Sequence, residues 1–250
     1  MLSLRRRQYL EAIGIDLWVA RAPATEPAAL PPPASVTAKA ASVAADVAGV
    51  TADADTSWQR LFDEVRGCRL CPLHATRTQG VLGVGPKRAD WLVIGEAPGA
   101  EEDRRGEPFV GAAGQLLDAM LRAIGLDRRT NVYIANVLKS RPPNNRDPKP
   151  EEVEACLPYL IRQIGLLQPK IMLAVGRIAA QNLLATDAPL GRLRGRVHHF
   201  GEFQTPLVVT YHPAYLLRTP ADKRKAWEDL KYARSVYQQL TQGTADGHRS

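Results

Sequence analysis

Trp91-Leu92-Val93-Ile94, followed at once by Gly95-Glu96-Ala97-Pro98-Gly99-Ala100-Glu101-Glu102-Asp103, is the stretch whose reading decides the fold. Four apolar residues bounded by polar ones form a short buried run, which predicts a strand at 91–94. A glycine- and acid-rich loop continues through Gly106-Glu107-Pro108-Phe109-Val110-Gly111 to Gly114, and the segment beginning Gln115-Leu116-Leu117 has helical spacing. Open α/β sheets place their ligands where a strand opens into such a loop and then a helix.

Working outward, the same alternation repeats. Residues 58–65 carry Trp58, Leu61, Phe62 and Val65 at helical spacing, with Thr56 or Ser57 as N-cap, and Cys68-Arg69-Leu70-Cys71-Pro72 closes that helix. Strands are expected at 132–137, 170–175, 197–200 and 207–210, and helices at 113–124, 151–167, 177–184 and 221–240. Alternating strands and helices predict a three-layer α/β/α domain around a mainly parallel sheet of four to five strands, spanning 57–242. Residues 1–21 form an N-terminal arm whose Tyr9, Ile13 and Leu17 share a helical face, a surface for an unidentified protein partner. Residues 22–56 hold 13 Ala and five Pro and read as a disordered linker, and 243–250 as a disordered tail.

The net charge is +7. Five of the 33 Lys/Arg and six of the 26 Asp/Glu lie in residues 1–57, leaving 28 against 20 in the rest. The basicity therefore belongs to the folded part, which suits a polyanion such as nucleic acid. No apolar run approaches the roughly 20 residues of a membrane helix, and Glu11 and Asp16 interrupt any signal-like core. The expectation is a cytoplasmic, nucleoid-associated monomer with no membrane partner. Gly80 to Lys87 lacks P-loop spacing and no G-x-G-x-x-G follows a strand, so no nucleotide cofactor is expected. Cys68, Cys71 and Cys156 are an odd number of cysteines, favouring metal ligation or buried thiols over disulfides.

Three segments leave strands at one sheet edge: 95–103, 136–145 and Tyr211-His212-Pro213. Taken alone, Phe109 is a core aromatic, Asn136 caps a strand end and His212 is structural. Taken together, Cys68-x-x-Cys71, Gly95-Glu-Ala-Pro-Gly99, Pro108-Phe-Val-Gly111, Val132-Tyr-Ile-Ala-Asn136, Arg141-Pro-Pro-Asn-Asn145-Arg146-x-Pro148 and His212-Pro-Ala-Tyr-Leu-Leu-Arg218 resemble the iron–sulfur, family 4 type of uracil-DNA glycosylase. The resemblance runs from about residue 58 to 240.

It implies an enzyme that flips uracil out of single- or double-stranded DNA and hydrolyses its N-glycosidic bond, leaving an abasic site. Phe109 is similar to the family's stacking residue, and Asn136 to the reader of the uracil edge. His212 is similar to the donor facing uracil O2. Related glycosylases have an Asp where this chain has Ala97, which puts the water-positioning role on Glu96, with Glu102 and Asn145 as supports. Leu216 and Leu217 read as a wedge for the gap left by the base, and Arg218 and Lys139 as phosphate contacts. The family pattern has four cysteines for a [4Fe–4S] cluster, and here Ser140 stands at the third position. Three outcomes are open: a cluster with a serine or exogenous fourth ligand, a labile or three-iron cluster, or an empty site with three thiols. The intact Glu96, Phe109, Asn136 and His212 set weighs against a DNA-binding or redox-sensing module without catalysis; a glycosylase for another deaminated base stays open.

Overall fold

The computed structural model describes residues 54–246 apart from residue 203, so the arm at 1–21, residues 22–53 of the 22–56 linker and residues 247–250 of the 243–250 tail lie outside the described residues, while 54–56 and 243–246 are helical. In chain order the elements are α1 (Ala54–Gly67), β1 (Trp91–Gly95), α2 (Ala100–Arg105), α3 (Ala112–Ala123), β2 (Val132–Asn136), α4 (Pro150–Leu167), β3 (Ile171–Val175), α5 (Arg177–Leu184), α6 (Leu190–Leu193), β4 (Val197–Phe200), β5 (Thr205–Thr210), α7 (Pro213–Arg218) and α8 (Lys223–Asp246). Short 3-10 turns at Pro72–Ala75, Pro143–Asn145 and Pro220–Asp222 join them.

The five strands form one sheet in the order β2-β1-β3-β5-β4, parallel except for the antiparallel edge strand β4. Residue alternation along the strands distributes the core to both faces. Leu92, Ile94, Tyr133, Ala135, Met172, Ala174, Leu207 and Val209 meet α1, α4 and α5 on one side, while Trp91, Val93, Ile134, Leu173 and Val208 meet α3, α7 and α8 on the other. This is the three-layer sandwich expected from the alternation of elements.

Four differences from the sequence reading have local causes. First, α1 starts at Ala54, so Thr56 and Ser57 lie inside the helix rather than capping it. Second, the acid-rich loop contains a helix, α2. Its acids Glu101, Glu102 and Asp103 occupy the first turn and Arg104 and Arg105 the last, which complements the helix dipole, and Gly106 at φ +79° ends it. Third, α8 continues past 240 to Asp246. Fourth, 213–218 forms a short helix where the sequence reading assigned no element.

Candidate active site

The parallel strands deliver four segments to one edge. Glu96 follows β1, Asn136 ends β2, Gly176 follows β3 and His212 follows β5. With α2, the turn before α3 and the 142–147 loop, the segments after β1, β2 and β5 enclose a cavity of about 440 Å³ lined by Glu96, Ala97, Glu102, Phe109, Asn136, Asn145, Asp147, His212, Tyr215 and Arg218, among others.

Phe109 is buried and sits in the left-handed region at φ +54°, which costs a bulky residue roughly 1–3 kcal/mol and persists only where neighbours hold it. The neighbours are explicit. Glu102 accepts from the amides of Val110 (3.0 Å) and Gly111 (3.2 Å). Arg128 donates to the carbonyls of Pro108 (3.1 Å) and Phe109 (2.9 Å). Gly114 is required beneath the turn, because a Cβ there would lie 1.8 Å from the Phe109 carbonyl oxygen. The ring is 5.6 Å from that of His212, tilted by 32°.

Asn136 is 2% exposed, and its Oδ1 is the only buried side-chain oxygen among the described residues without a hydrogen-bond partner. An unmade bond to such a group costs about 1–3 kcal/mol, so a buried, unpaired acceptor bordering a cavity marks a place for a donor from outside. Gly95 keeps that oxygen accessible: a Cβ at 95 would come within 2.4 Å of Asn136 Oδ1 and 2.6 Å of Phe109 Cζ.

His212 Nδ1 accepts from the Ala214 amide at 3.1 Å, capping α7. The neutral ring therefore carries its proton on Nε2. Burial first, and the nearby Arg218 charge second, push its pKa down to about 4. The imidazole is neutral at physiological pH and acts as a hydrogen-bond donor. Glu96 moves the other way: burial, aided by Asp147, raises its pKa to about 7, with Arg177 opposing. A carboxyl poised there exchanges protons at operating pH.

The other expected residues divide. Ala97, Glu102, Asn145 and Arg218 line the cavity as anticipated, although Glu102 holds the Phe109 turn with its carboxylate and Asn145 Oδ1 accepts from Arg141 Nε at 2.8 Å. Lys139 does not reach phosphate. It is 1% exposed, and its Nζ donates to the Asn136 carbonyl (2.7 Å) and to Gln163 Oε1 inside the protein, because the chain turns inward after β2. Leu216 is no wedge either: it is 1% exposed and packed in the core beneath α7, whereas Leu217 is 44% exposed. Asp147, Arg146 and Tyr215 are wall residues that the sequence reading passed over. Asp147 and Arg146 stand directly after Asn145, the one signal pointing to them.

The family model described as "Uracil DNA glycosylase superfamily" matches residues 82–231. The type-4 uracil-DNA glycosylase of Pyrobaculum aerophilum is 47% identical over 178 residues, 69% of this chain and 90% of that protein. That of Archaeoglobus fulgidus is 47% identical over 174 residues, covering 67% and 87%. That of Thermotoga maritima is 41% identical over 177 residues, covering 69% and 91%. The chain belongs to the uracil-DNA glycosylase superfamily. The superfamily match spans β1 and ends within the first half of α8, so the segments that build the cavity lie within it.

A second set of residues lies beside the cavity. Cys68 follows α1, Cys71 precedes the first 3-10 turn and Cys156 stands on α4; all three are free, and Cys71 and Cys156 are buried. Burial raises the Cys156 thiol to about 11, and it senses both Cys68 and Cys71. The Lys139 amide donates to its Sγ at 3.5 Å. Ser140 is 3% exposed, and its Oγ accepts from Arg77 Nη1 at 2.7 Å, while Arg77 Nη2 donates to the carbonyls of Arg66 and Cys68, both at 2.9 Å. The corner thus offers three neighbouring thiols but not four, since a guanidinium already holds the fourth position. No group of three or more metal-ligating side chains converges among the described residues. The donor set does not fit a four-thiolate cluster.

Proposed function

We propose that this protein repairs DNA by hydrolysing the N-glycosidic bond of uracil flipped into the cavity between β1, β2 and β5, leaving an abasic site. The observation that carries the reading is the unpaired, buried Oδ1 of Asn136. Uracil presents an N3–H donor beside the O4 acceptor, and one side-chain amide satisfies both. Cytosine presents an acceptor at N3, which would leave Asn136 Oδ1 unpaired, and buried unpaired groups reject a wrong ligand strongly.

Phe109 stacks against the face of the base in this reading. His212, neutral and protonated on Nε2, donates to uracil O2 as negative charge develops on the departing base. The sugar becomes positive, and Glu96 in its carboxylate form orients the attacking water and takes its proton. Arg218 at the rim and exposed Leu217 on α7 meet the DNA, Arg218 at phosphate and Leu217 in the gap left by the base. Cys68, Cys71 and Cys156 are the thiols left for an iron–sulfur group whose fourth ligand is not a cysteine, and no chemical step of this reading runs through that corner. The setting is DNA repair in the cytoplasm, at the nucleoid; among the described residues no helix is long and apolar enough to cross a membrane.

Oligonucleotides carrying uracil, hypoxanthine or thymine, single- and double-stranded, test the reading in one gel assay of alkali-sensitive sites. Uracil is expected to be excised and thymine left intact. Hypoxanthine excision without uracil excision would transfer the assignment to another deaminated base, and no excision of any would overturn it.

A further inference from the structure

The turn that presents Phe109 is held by a residue that lies outside the cavity wall. Arg128 stands in the connection between α3 and β2, two residues past Leu126, with its side chain 15% exposed. Its guanidinium donates in three directions. Nη1 reaches the Pro108 carbonyl at 3.1 Å, Nη2 reaches the Phe109 carbonyl at 2.9 Å, and Nε reaches Asp118 Oδ1 on α3 at 2.7 Å. Two consecutive carbonyls pointing to one side require a planar fork of donors, which arginine has and lysine lacks. Phe109 occupies a left-handed backbone state that it would not keep unaided. Glu102 fixes the amides on the far side of the turn, so Arg128 and Glu102 together hold both carbonyls and the Val110 amide of the two peptide units flanking the ring, and the Gly111 amide beyond.

We propose that Arg128, oriented by Asp118, is a positioning residue that locks Phe109 in the conformation needed to stack a flipped base. The proposal rests on the reading of Phe109 as the stacking platform given under Proposed function. Its effect passes wholly through the ring: without the fork, the 108–109 peptide is free to leave the left-handed region, and the face opposite His212 is no longer flat against the ligand.

A double-mutant cycle tests it. Single-turnover excision from a uracil oligonucleotide, inhibition by free uracil and thermal unfolding are measured for wild type, Arg128→Met, Arg128→Lys, Phe109→Ala and Phe109→Ala/Arg128→Met. Arg128→Met is expected to slow the single-turnover step about 10- to 100-fold and to weaken free-uracil inhibition by a similar factor. Binding to abasic oligonucleotide should stay within about twofold, because DNA contacts are untouched. In the Phe109→Ala background the same substitution is expected to cost less than about threefold. Arg128→Lys keeps the charge beside Asp118 but not the fork, and is expected to lose about three- to tenfold; it carries the test should Arg128→Met fail to fold. Wild-type rates in Arg128→Lys, or an equal loss with and without the Phe109 ring, would overturn the proposal. Failure of wild type to excise uracil would instead overturn the reading on which it rests.

Discussion

The cavity and the cysteine corner lie on either side of the segment from Asn136 to Ser140, and they are built in opposite ways. Around the cavity each group is held by explicit contacts: the side chains of Glu102 and Arg128 grip the Phe109 turn, the Ala214 amide fixes the His212 tautomer, and Gly95 clears space for Asn136. What is left unsatisfied there is a single acceptor, aligned for a ligand. At the corner the thiols carry few fixed contacts, and one arginine joins Arg66, Cys68 and Ser140. The lesson is that fixed contacts are concentrated around the cavity, while at the corner Arg77 alone joins the end of α1 to the loop before α4.

The largest effects expected from this contrast fall on the cavity. His212→Ala and Glu96→Gln are each expected to slow single-turnover excision by about 10²- to 10³-fold with melting temperatures little changed. Because the carboxylate is the active form of Glu96 and its pKa is about 7, the wild-type rate should rise with pH through that value and level off above it. His212, already neutral above about 4, adds no inflection there. The rising limb should vanish in Glu96→Gln; a limb that survives would assign it to another group.

Intermediate effects belong to the corner and should appear in metal content and stability before activity. Ser140→Cys completes four thiols, so anaerobically purified variant should retain more iron and sulfide than wild type, with excision within about threefold. Arg77→Met removes hydrogen bonds from a charged donor worth about 1.5–3 kcal/mol and is expected to lower the melting temperature by roughly 3–10 °C. A large loss of excision in Arg77→Met at full folding would erase the distinction between the two regions. The smallest effect is at the rim: Leu217→Ala should reduce excision from duplex a few-fold and leave single-stranded substrate nearly unaffected.

Much of this was legible in the chain. Buried runs such as 91–94 and 171–175, alternating with amphipathic segments, specify the layers because strand and helix periods differ. The strand pattern placed Glu96, Asn136 and His212 at one sheet edge, while only the resemblance of their motifs to a known family marked them as site residues. What sequence could not convey was direction. Lys139 carries a charge that suits a surface and Leu216 stands beside exposed Leu217 in one motif, and only the turn of the backbone sends both inward. The density of acids in 95–103 was read as part of a ligand loop. It resolves into a helix N-terminal turn in which Asp103 accepts from the amides of Thr78 and Gln79, Glu102 holds the Phe109 turn, and Glu101 pairs with Arg104. Arg128, in the charge run Asp127-Arg128-Arg129, gave no signal, since its partners are carbonyls 19 and 20 residues away.

Lys139 links the two regions more closely than any shared element does. Its amide points at the sulfur of Cys156 while its ammonium end supports the carbonyl of Asn136 and meets Gln163. In the language of cooperative unfolding, an opening that separates the loop before α4 from the sheet must break both sets of bonds together. The amide protons around the cysteines and those of the β2 terminus should then exchange with solvent as one unit, so slackening at the corner is felt at the cavity wall that carries Asn136.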